Sequence, residues 1–376
     1  MRWSTSPHRS ADQARRLRLD LVTAAQRTSP AHYATGGAAV MHYPCRKASA
    51  EAGRYAPGRV RSAVAVEPAC RRTSFAGAGS LSVRGGPMSW PGVTVVDACV
   101  RRDGRGGSPT AVADDDPTAT DAHRRAVAAA AGTSHAAFLG PGRTPDGGWP
   151  VRFFTATAEL SGCGHGTVAA QAVRLTHTAL GELNDRQHTG GRTFDTVAIR
   201  RSAGIEVWFD QGLVALRYPA PDERAAIVAA LGLGADDPHP TDAPRVASPG
   251  APRMLVPVRD RAALLRVRPR LGRLTAACRE YGLLGCFVYV PPVGDRPGAA
   301  RMFAPAIGVP EDVANANSTG CLAAHLLDTT GAETVEIEME QGDTLGRPAS
   351  VLASARRGPT GITTRVGGLA LVRDGH

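Results

Sequence analysis

The sequence predicts an α/β (α+β) protein of two similarly built, pseudo-symmetric halves, each a curved, barrel-like sheet wrapped around a small-residue central helix. Three observations carry this. A glycine-rich turn opens an alanine-rich helix twice, as Glu159-Leu-Ser-Gly-Cys163-Gly164-His165-Gly166-Thr167 and as Asn315-Ala-Asn317-Ser318-Thr319-Gly320-Cys321. Each turn follows a strand-like stretch that starts with Arg and contains Phe, Arg152-Phe-Phe154 and Arg301-Met-Phe303. Strand-forming runs surround both helices, so their Ala and Gly content is explained by close helix–sheet packing. Duplication of this kind marks one pseudo-symmetric architecture.

The elements follow in order from Met88. Residues 93–98 form an apolar strand, 101–108 a Gly-rich turn and 110–113 the next strand. A helix is expected over 121–131, with Asp121 near its start and Gly132 suited to its stop. Strands at 136–139 and 151–155 flank a Pro/Gly loop, and 167–178 is the first small-residue helix. A meander of 196–200, 205–210 and 213–218 turns at Gly204 and at Gln211-Gly212. The second half predicts helices over 223–231, 260–266, 273–281 and 321–328. Its strands fall at 253–258, 286–290, 301–304, 334–340, 351–355 and 368–372.

Charge is unevenly distributed. Residues 1–87 hold 14 Lys+Arg against 4 Asp+Glu, whereas the remainder balances at 30 against 30. The +10 net charge therefore belongs to the first 87 residues, and the rest has no electrostatic case for nucleic acid. The stretch 1–87 reads as a disordered or non-native basic extension, with Met88 as the natural start. It has no signal-peptide-like apolar region, and no run is long enough to cross a membrane. A tail binding acidic partners stays open as a minor reading. The expected domains are this extension, a first lobe over 88–200 and a second over 201–376, with strand exchange between the lobes open.

Seven scattered Cys form no C-x-x-C or zinc-spaced set, so neither a metal site nor disulfides are expected, and a reduced, cytoplasmic setting is the default. The only Lys is Lys47, which excludes a pyridoxal-phosphate enzyme and a P-loop from the rest of the chain. The glycine turns also lack dinucleotide-fold spacing.

A helix N-terminus offers unpaired N–H groups and a partial positive charge, which suit a carboxylate. Two such ends facing each other would hold a small acid. Cys163 stands apart from the other thiols because a helix N-terminus lowers thiol pKa.

From Met88 onward the chain resembles the PhzF-like phenazine-biosynthesis isomerases, relatives of diaminopimelate epimerase and proline racemase. The resemblance rests on Gly107-Ser108-Pro109, Gly132-Thr-Ser-His135-Ala-Ala-Phe138, Arg152-Phe-Phe-Thr155 and Glu159 to Thr167. It continues through Gly250-Ala-Pro-Arg253, Phe303-Ala-Pro305 to Gly320, and Gln341-Gly342 to Pro348. It implies a diaminopimelate-epimerase-like fold of two lobes, an interlobe site, no cofactor and a homodimer. His135 stands where the family carries its acid/base Glu; an imidazole shuttles protons near neutral pH and so can retain that role. The loop 311–320 is longer than the family pattern, which leaves the place of Asp312 open, with Asn315 and Asn317 as replacement donors. Cys163 matches the first of the epimerases' two thiols. Asn317 takes the second position, and Cys321 falls inside the helix.

The expected function is a cofactor-independent isomerase or epimerase acting on a small carboxylate or amino-acid-like metabolite, in biosynthesis. His135 and Cys163 would be its catalytic groups. Gly164, His165, Gly166, Asn317, Ser318, Thr319 and Gly320 would bind substrate. The alternative is a catalytically inactive small-acid binder of the same fold. No nucleic-acid or membrane partner is expected.

Overall fold

The computed structural model describes residues 92–373; the basic stretch 1–87, Lys47 and Met88 lie outside the described residues. Seventeen strands are described. The first run is β1 (Thr94–Val100), β2 (Ser108–Asp114), β3 (His135–Leu139), β4 (Trp149–Phe154), β5 (Glu159–Leu160), β6 (Glu182–Thr189), β7 (Arg192–Arg201) and β8 (Gly204–Leu213). A short β9 (Ala215–Arg217) follows. The second run is β10 (Arg245–Ser248), β11 (Arg253–Pro257), β12 (Gly285–Val290), β13 (Gly298–Ala304), β14 (Val309–Asp312), β15 (Thr334–Gln341), β16 (Ala349–Gly358) and β17 (Gly361–Val372).

The two runs pair in the same sequence of directions. β1–β2 and β10–β11 are antiparallel, and β2–β3 and β11–β12 are parallel. β3–β4 and β12–β13 are antiparallel, then β4–β6 and β13–β15 are parallel. β17 closes the first run into an eight-stranded ring by pairing with both β8 and β1. The second run returns on itself where Leu213 pairs with Thr363, the Val214 N–H donates to the Ile362 carbonyl, and β9 pairs with β10. A closed ring removes exposed strand edges.

Among the described residues six helices join the strands: α1 (Asp121–Ala130), α2 (Gly164–Thr176), α3 (Pro221–Leu231), α4 (Arg261–Arg266), α5 (Leu271–Glu280) and α6 (Ala316–Thr330). α2 packs against β1, β2, β3, β7, β8 and β17, inside the first ring. α6 packs against β10, β11, β15, β16 and β17 of the second. Ten of the thirteen residues of α2 and ten of the fifteen of α6 are buried. A helix covered on nearly all sides belongs to a core, and small side chains let sheet backbones approach it. This is the diaminopimelate-epimerase-like arrangement that the resemblance implied: two lobes, each a curved sheet around a central helix.

The internal repeat extends to side chains. Arg152 grips Glu159 at 2.8 Å and stacks over Phe154, while Arg301 grips Glu311 at 2.8 Å and stacks over Phe303. One turn into each central helix, a threonine takes a hydrogen bond from a glutamine on the next strand. These are Gln187 Nε2 to Thr167 Oγ1 at 3.2 Å and Gln341 Nε2 to Thr319 Oγ1 at 3.0 Å.

Several local expectations are corrected. α2 and α6 begin at Gly164 and Ala316, so the glycine segments are the first helical turns rather than loops before them. The capping side chains of Cys163 and Asn315, upstream of the glycines, decide this. Gln211-Gly212 is no turn. It lies in β8 opposite a register shift between Thr364 and Arg365, where Gly212 has a φ of 95°. β6 (Glu-Leu-Asn-Asp-Arg-Gln-His-Thr) was not predicted, because its composition carries little apolar alternation.

Candidate active site

The first turns of the two central helices abut. A Cβ placed on Gly164 would come within 2.8 Å of the Ala316 Cβ, so only glycine allows this approach. Asn315 caps α6 by accepting from the Ser318 N–H at 2.9 Å, and its own N–H donates to Gln341 Oε1. Cys163 caps α2, with Sγ accepting from the Gly166 N–H at 3.4 Å. The N–H groups of Gly164 and His165, and of Ala316 and Asn317, remain in the first turns beyond the reach of intrahelical acceptors.

His135 enters from the start of β3 and meets this junction. A continuous polar line results. Ser134 Oγ lies 2.9 Å from His135 Nδ1, which lies 3.0 Å from His165 Nε2, which lies 3.3 Å from Cys163 Sγ. The two imidazoles meet edge to face, with centroids 4.3 Å apart. The Ala314 carbonyl bonds the His165 ring. With Nε2 already committed, that bond falls to Nδ1–H and leaves Nε2 with the lone pair. His135 Nδ1–H can donate to it, which leaves His135 Nε2 as a basic nitrogen. His135 and His165 line a cleft of about 340 Å3 together with Ser108, Ser134, Asp312 and Arg347.

Electrostatics correct two expectations. Burial, and then the neighbouring His165, push His135 down to about 3, with Asp312 opposing. His165 falls to about 4 through burial, opposed by the Ala314 carbonyl. Both imidazoles are therefore neutral near pH 7, and His135 is not a group that titrates there. Burial also pushes the Cys163 thiol up to about 12 against the pull of the Gly166 N–H. The helix N-terminus loses to desolvation, so the thiol is an acid and not a ready thiolate.

The sequence-predicted residues fall into two groups. His135, Cys163 and His165 converge, and Gly164 packs against the opposite helix. Gly166 supports the Cys163 sulfur. Asn317 is exposed and accepts from Gln211 Nε2 through both its carbonyls, at 2.9 and 3.1 Å, so its Nδ2 points away from that bond. Ser318, Thr319 and Gly320 are buried behind the turn. Ser318 Oγ lies against Met302 Sδ, Thr319 Oγ1 donates to the Asn315 carbonyl, and Gly320 abuts the Gln211 side chain. Cys321 is buried inside α6.

Sequence reasoning missed Ser108, Ser134 and Arg347 as cleft residues, and the backbone conformation of Cys99. The positions of Ser108 and Arg347 within the quoted motifs were the available signal. Cys99 is the one non-glycine among the described residues with a left-handed φ, 62°, at the β1 bulge. Asp312, whose place the sequence left open, faces the cleft and takes a hydrogen bond from Asn315 Nδ2 at 2.9 Å.

A family model described as phenazine biosynthesis-like protein (PhzC-PhzF) matches residues 96–374. The chain belongs to this family. It is 32% identical over 266 residues to the uncharacterized isomerase YddE of Salmonella typhimurium, covering 69% of this chain and 89% of that one. It is also 32% identical to an uncharacterized isomerase of Deinococcus radiodurans, over 61% of this chain and 77% of the relative. Among solved structures, a predicted epimerase from Pseudomonas aeruginosa is similar at 27% identity and a TM-score of 0.62. The match spans 75% of this chain and 96% of that one. A PhzF-family protein of Bacillus anthracis shares the fold at 17% identity and a TM-score of 0.65, over the same shares. With the PhzF family and relatives named isomerases, the chain is an isomerase. No helix among the described residues is long and apolar enough to cross a membrane.

Proposed function

We propose that the protein moves a proton on a carbon atom of a small carboxylate or amino-acid-like metabolite, without a cofactor. The observation that carries this reading is the hydrogen-bonded line from Ser134 through His135 and His165 to Cys163, beside two abutting helix N-termini. The substrate carboxylate accepts from the free N–H groups of Gly164, His165 and Asn317, which also stabilise charge as it develops.

His135 Nε2 takes the proton from the activated carbon. The C–H bond breaks and its electron pair moves into the carboxylate or an adjoining double bond. In a 1,3-shift the same imidazole returns the proton two atoms away. In an epimerisation the Cys163 S–H proton passes through Nε2 of His165, which lines the cleft, to the opposite face, and the proton taken by His135 returns to the sulfur through the same ring. A neutral imidazole base and a protonated thiol acid are the starting states that burial favours here. We place this chemistry in biosynthesis, in a homodimeric, cytoplasmic enzyme.

The test is deuterium incorporation in D₂O, followed by NMR over a panel of amino, hydroxy and β,γ-unsaturated acids, with His135→Ala alongside. Incorporation lost in the variant supports the reading. Incorporation equal in both removes His135 from the chemistry. The non-catalytic binder is favoured by one observation, the thiol held well above neutrality. It would appear as saturable acid binding with no exchange for any member that binds.

A further inference from the structure

His135, Cys163 and His165 offer two imidazole nitrogens and one sulfur, all within 4.8 Å of one another. Two of the separations are 3.0 Å, nitrogen to nitrogen, and 3.3 Å, nitrogen to sulfur. A tetrahedral zinc with Zn–N of about 2.0–2.1 Å and Zn–S of about 2.3 Å has edges of roughly 3.3 Å and roughly 3.6 Å. These two edges therefore stand a few tenths of an ångström from those of a zinc face, and the third, His135 to Cys163, is no longer than 4.8 Å.

We propose that His135 Nδ1, Cys163 Sγ and His165 Nε2 form an inhibitory site for Zn²⁺ or a similar soft divalent cation, with a fourth position open to the cleft. The donor set is the one such ions select: two imidazoles and a thiolate. The far side of His165 is held by the Ala314 carbonyl, the support that orients ligating histidines. Access is provided by the cleft that His135 and His165 line. On binding, the Cys163 S–H proton leaves to solvent and a Zn–S bond forms. His165 binds through the lone pair its Nε2 already carries, and His135 shifts its proton from Nδ1 to Nε2 so that Nδ1 can bind as part of a neutral ring. The positive end of α2 opposes a cation, but only weakly beside a metal–thiolate bond, and the Asp312 carboxylate offsets it. No sequence spacing announces this set, because β3 supplies one ligand and the first turn of α2 the other two.

Zinc at this position holds the His165 and Cys163 atoms that would relay the proton, and with Nδ1 ligated the neutral His135 ring carries its proton on Nε2, which then cannot act as the base. The inhibitory half of the inference rests on the proton-transfer reading above; the binding half does not.

The experiment titrates Co²⁺ into the chelator-stripped full chain and follows absorption. The expected result is one equivalent bound with tetrahedral visible bands and a sulfur-to-cobalt charge-transfer band, both displaced by Zn²⁺. Cys163→Ser should abolish the charge-transfer band and weaken binding at least tenfold, with an unchanged circular dichroism spectrum. His135→Ala, with the thiol intact, should weaken it comparably, which keeps the test valid if the first variant fails to fold. Absence of a one-equivalent site, or a charge-transfer band that survives Cys163→Ser, overturns the site. Zn²⁺ is then added to a D₂O exchange reaction. Exchange abolished at full occupancy and restored by chelator supports inhibition, and exchange that continues in the zinc-loaded protein overturns it. If the metal-free protein exchanges nothing, the proton-transfer reading fails while the cobalt result stands.

Discussion

His135 Nδ1 and His165 Nε2 lie 3.0 Å apart although 30 residues separate them in the chain. β3 carries one and α2 the other, and the parallel pairing of β2 with β3 sets His135 opposite Thr110. The pair links a cleft-lining imidazole to a thiol that lies outside that lining, the connection the proposed proton relay needs.

Removing His135 should therefore act on turnover and not on folding. We expect His135→Ala to lower the exchange rate by about 10²–10⁴-fold, the usual contribution of a positioned acid–base group. Circular dichroism and urea midpoints should stay near those of the parent.

Gly164→Ala should force the two helix N-termini apart, because the new methyl meets Ala316 Cβ at 2.8 Å. An overpacked core contact costs about 1–3 kcal/mol. Ala316→Gly in the same chain should recover most of the loss. A double-mutant cycle by urea unfolding reads this, and additive effects would show that the two residues do not interact.

The two equivalent arginine–glutamate pairs should differ in worth. Arg301 and Glu311 have side-chain exposures of 8% and 13%, against 35% and 43% for Arg152 and Glu159. Arg301→Ala should cost about 3–5 kcal/mol, since it strands a carboxylate in a largely buried site. Arg152→Ala should cost no more than about 1 kcal/mol. Equal losses on chemical denaturation would contradict this burial argument.

Glu223 should contribute to acid sensitivity. Two hydrogen bonds from Arg217, each 2.7 Å, and then the Ala220 N–H hold its carboxyl below the usual range, against the opposing pull of burial. A folded-state value below the unfolded one, about 4.3, means stability that is present above that pH and lost as pH falls through the folded value. Arg217 is half exposed, so the term is about 1 kcal/mol at most. Stability measured from pH 7 to pH 3 should fall less steeply in Glu223→Gln.

Much of the fold was legible. The repeated Arg–Phe strand and small-residue helix mark the two central elements, and clean alternation placed β15 and β8. β6 escaped because five charged or amide side chains in eight residues mask a strand whose partners supply the burial. The helix starts escaped by a few residues because glycines read as a turn, whereas a cap three residues ahead of Gly166 begins the helix earlier.

The site was legible in part. His135, Cys163 and His165 could be named from motif positions, but Ser318 and Thr319 could not be told apart from ligand-facing residues, since helical phase decides which side chains turn inward. Cys163 was misread electrostatically for a related reason. A helix N-terminus is a local feature, whereas the burial that outweighs it comes from elements far away in the chain.

The sequence by itself determined the duplication, the family and the three side chains to which the proposal assigns proton transfer, because these reside in residue type and order. Only the tertiary structure decided that β17, the last strand described, closes the first ring, that the two helix ends touch, and that two histidines line one cleft with a thiol in contact behind them. Those facts depend on contacts between distant segments, and on the desolvation such contacts impose, neither of which leaves a period or a spacing in the chain.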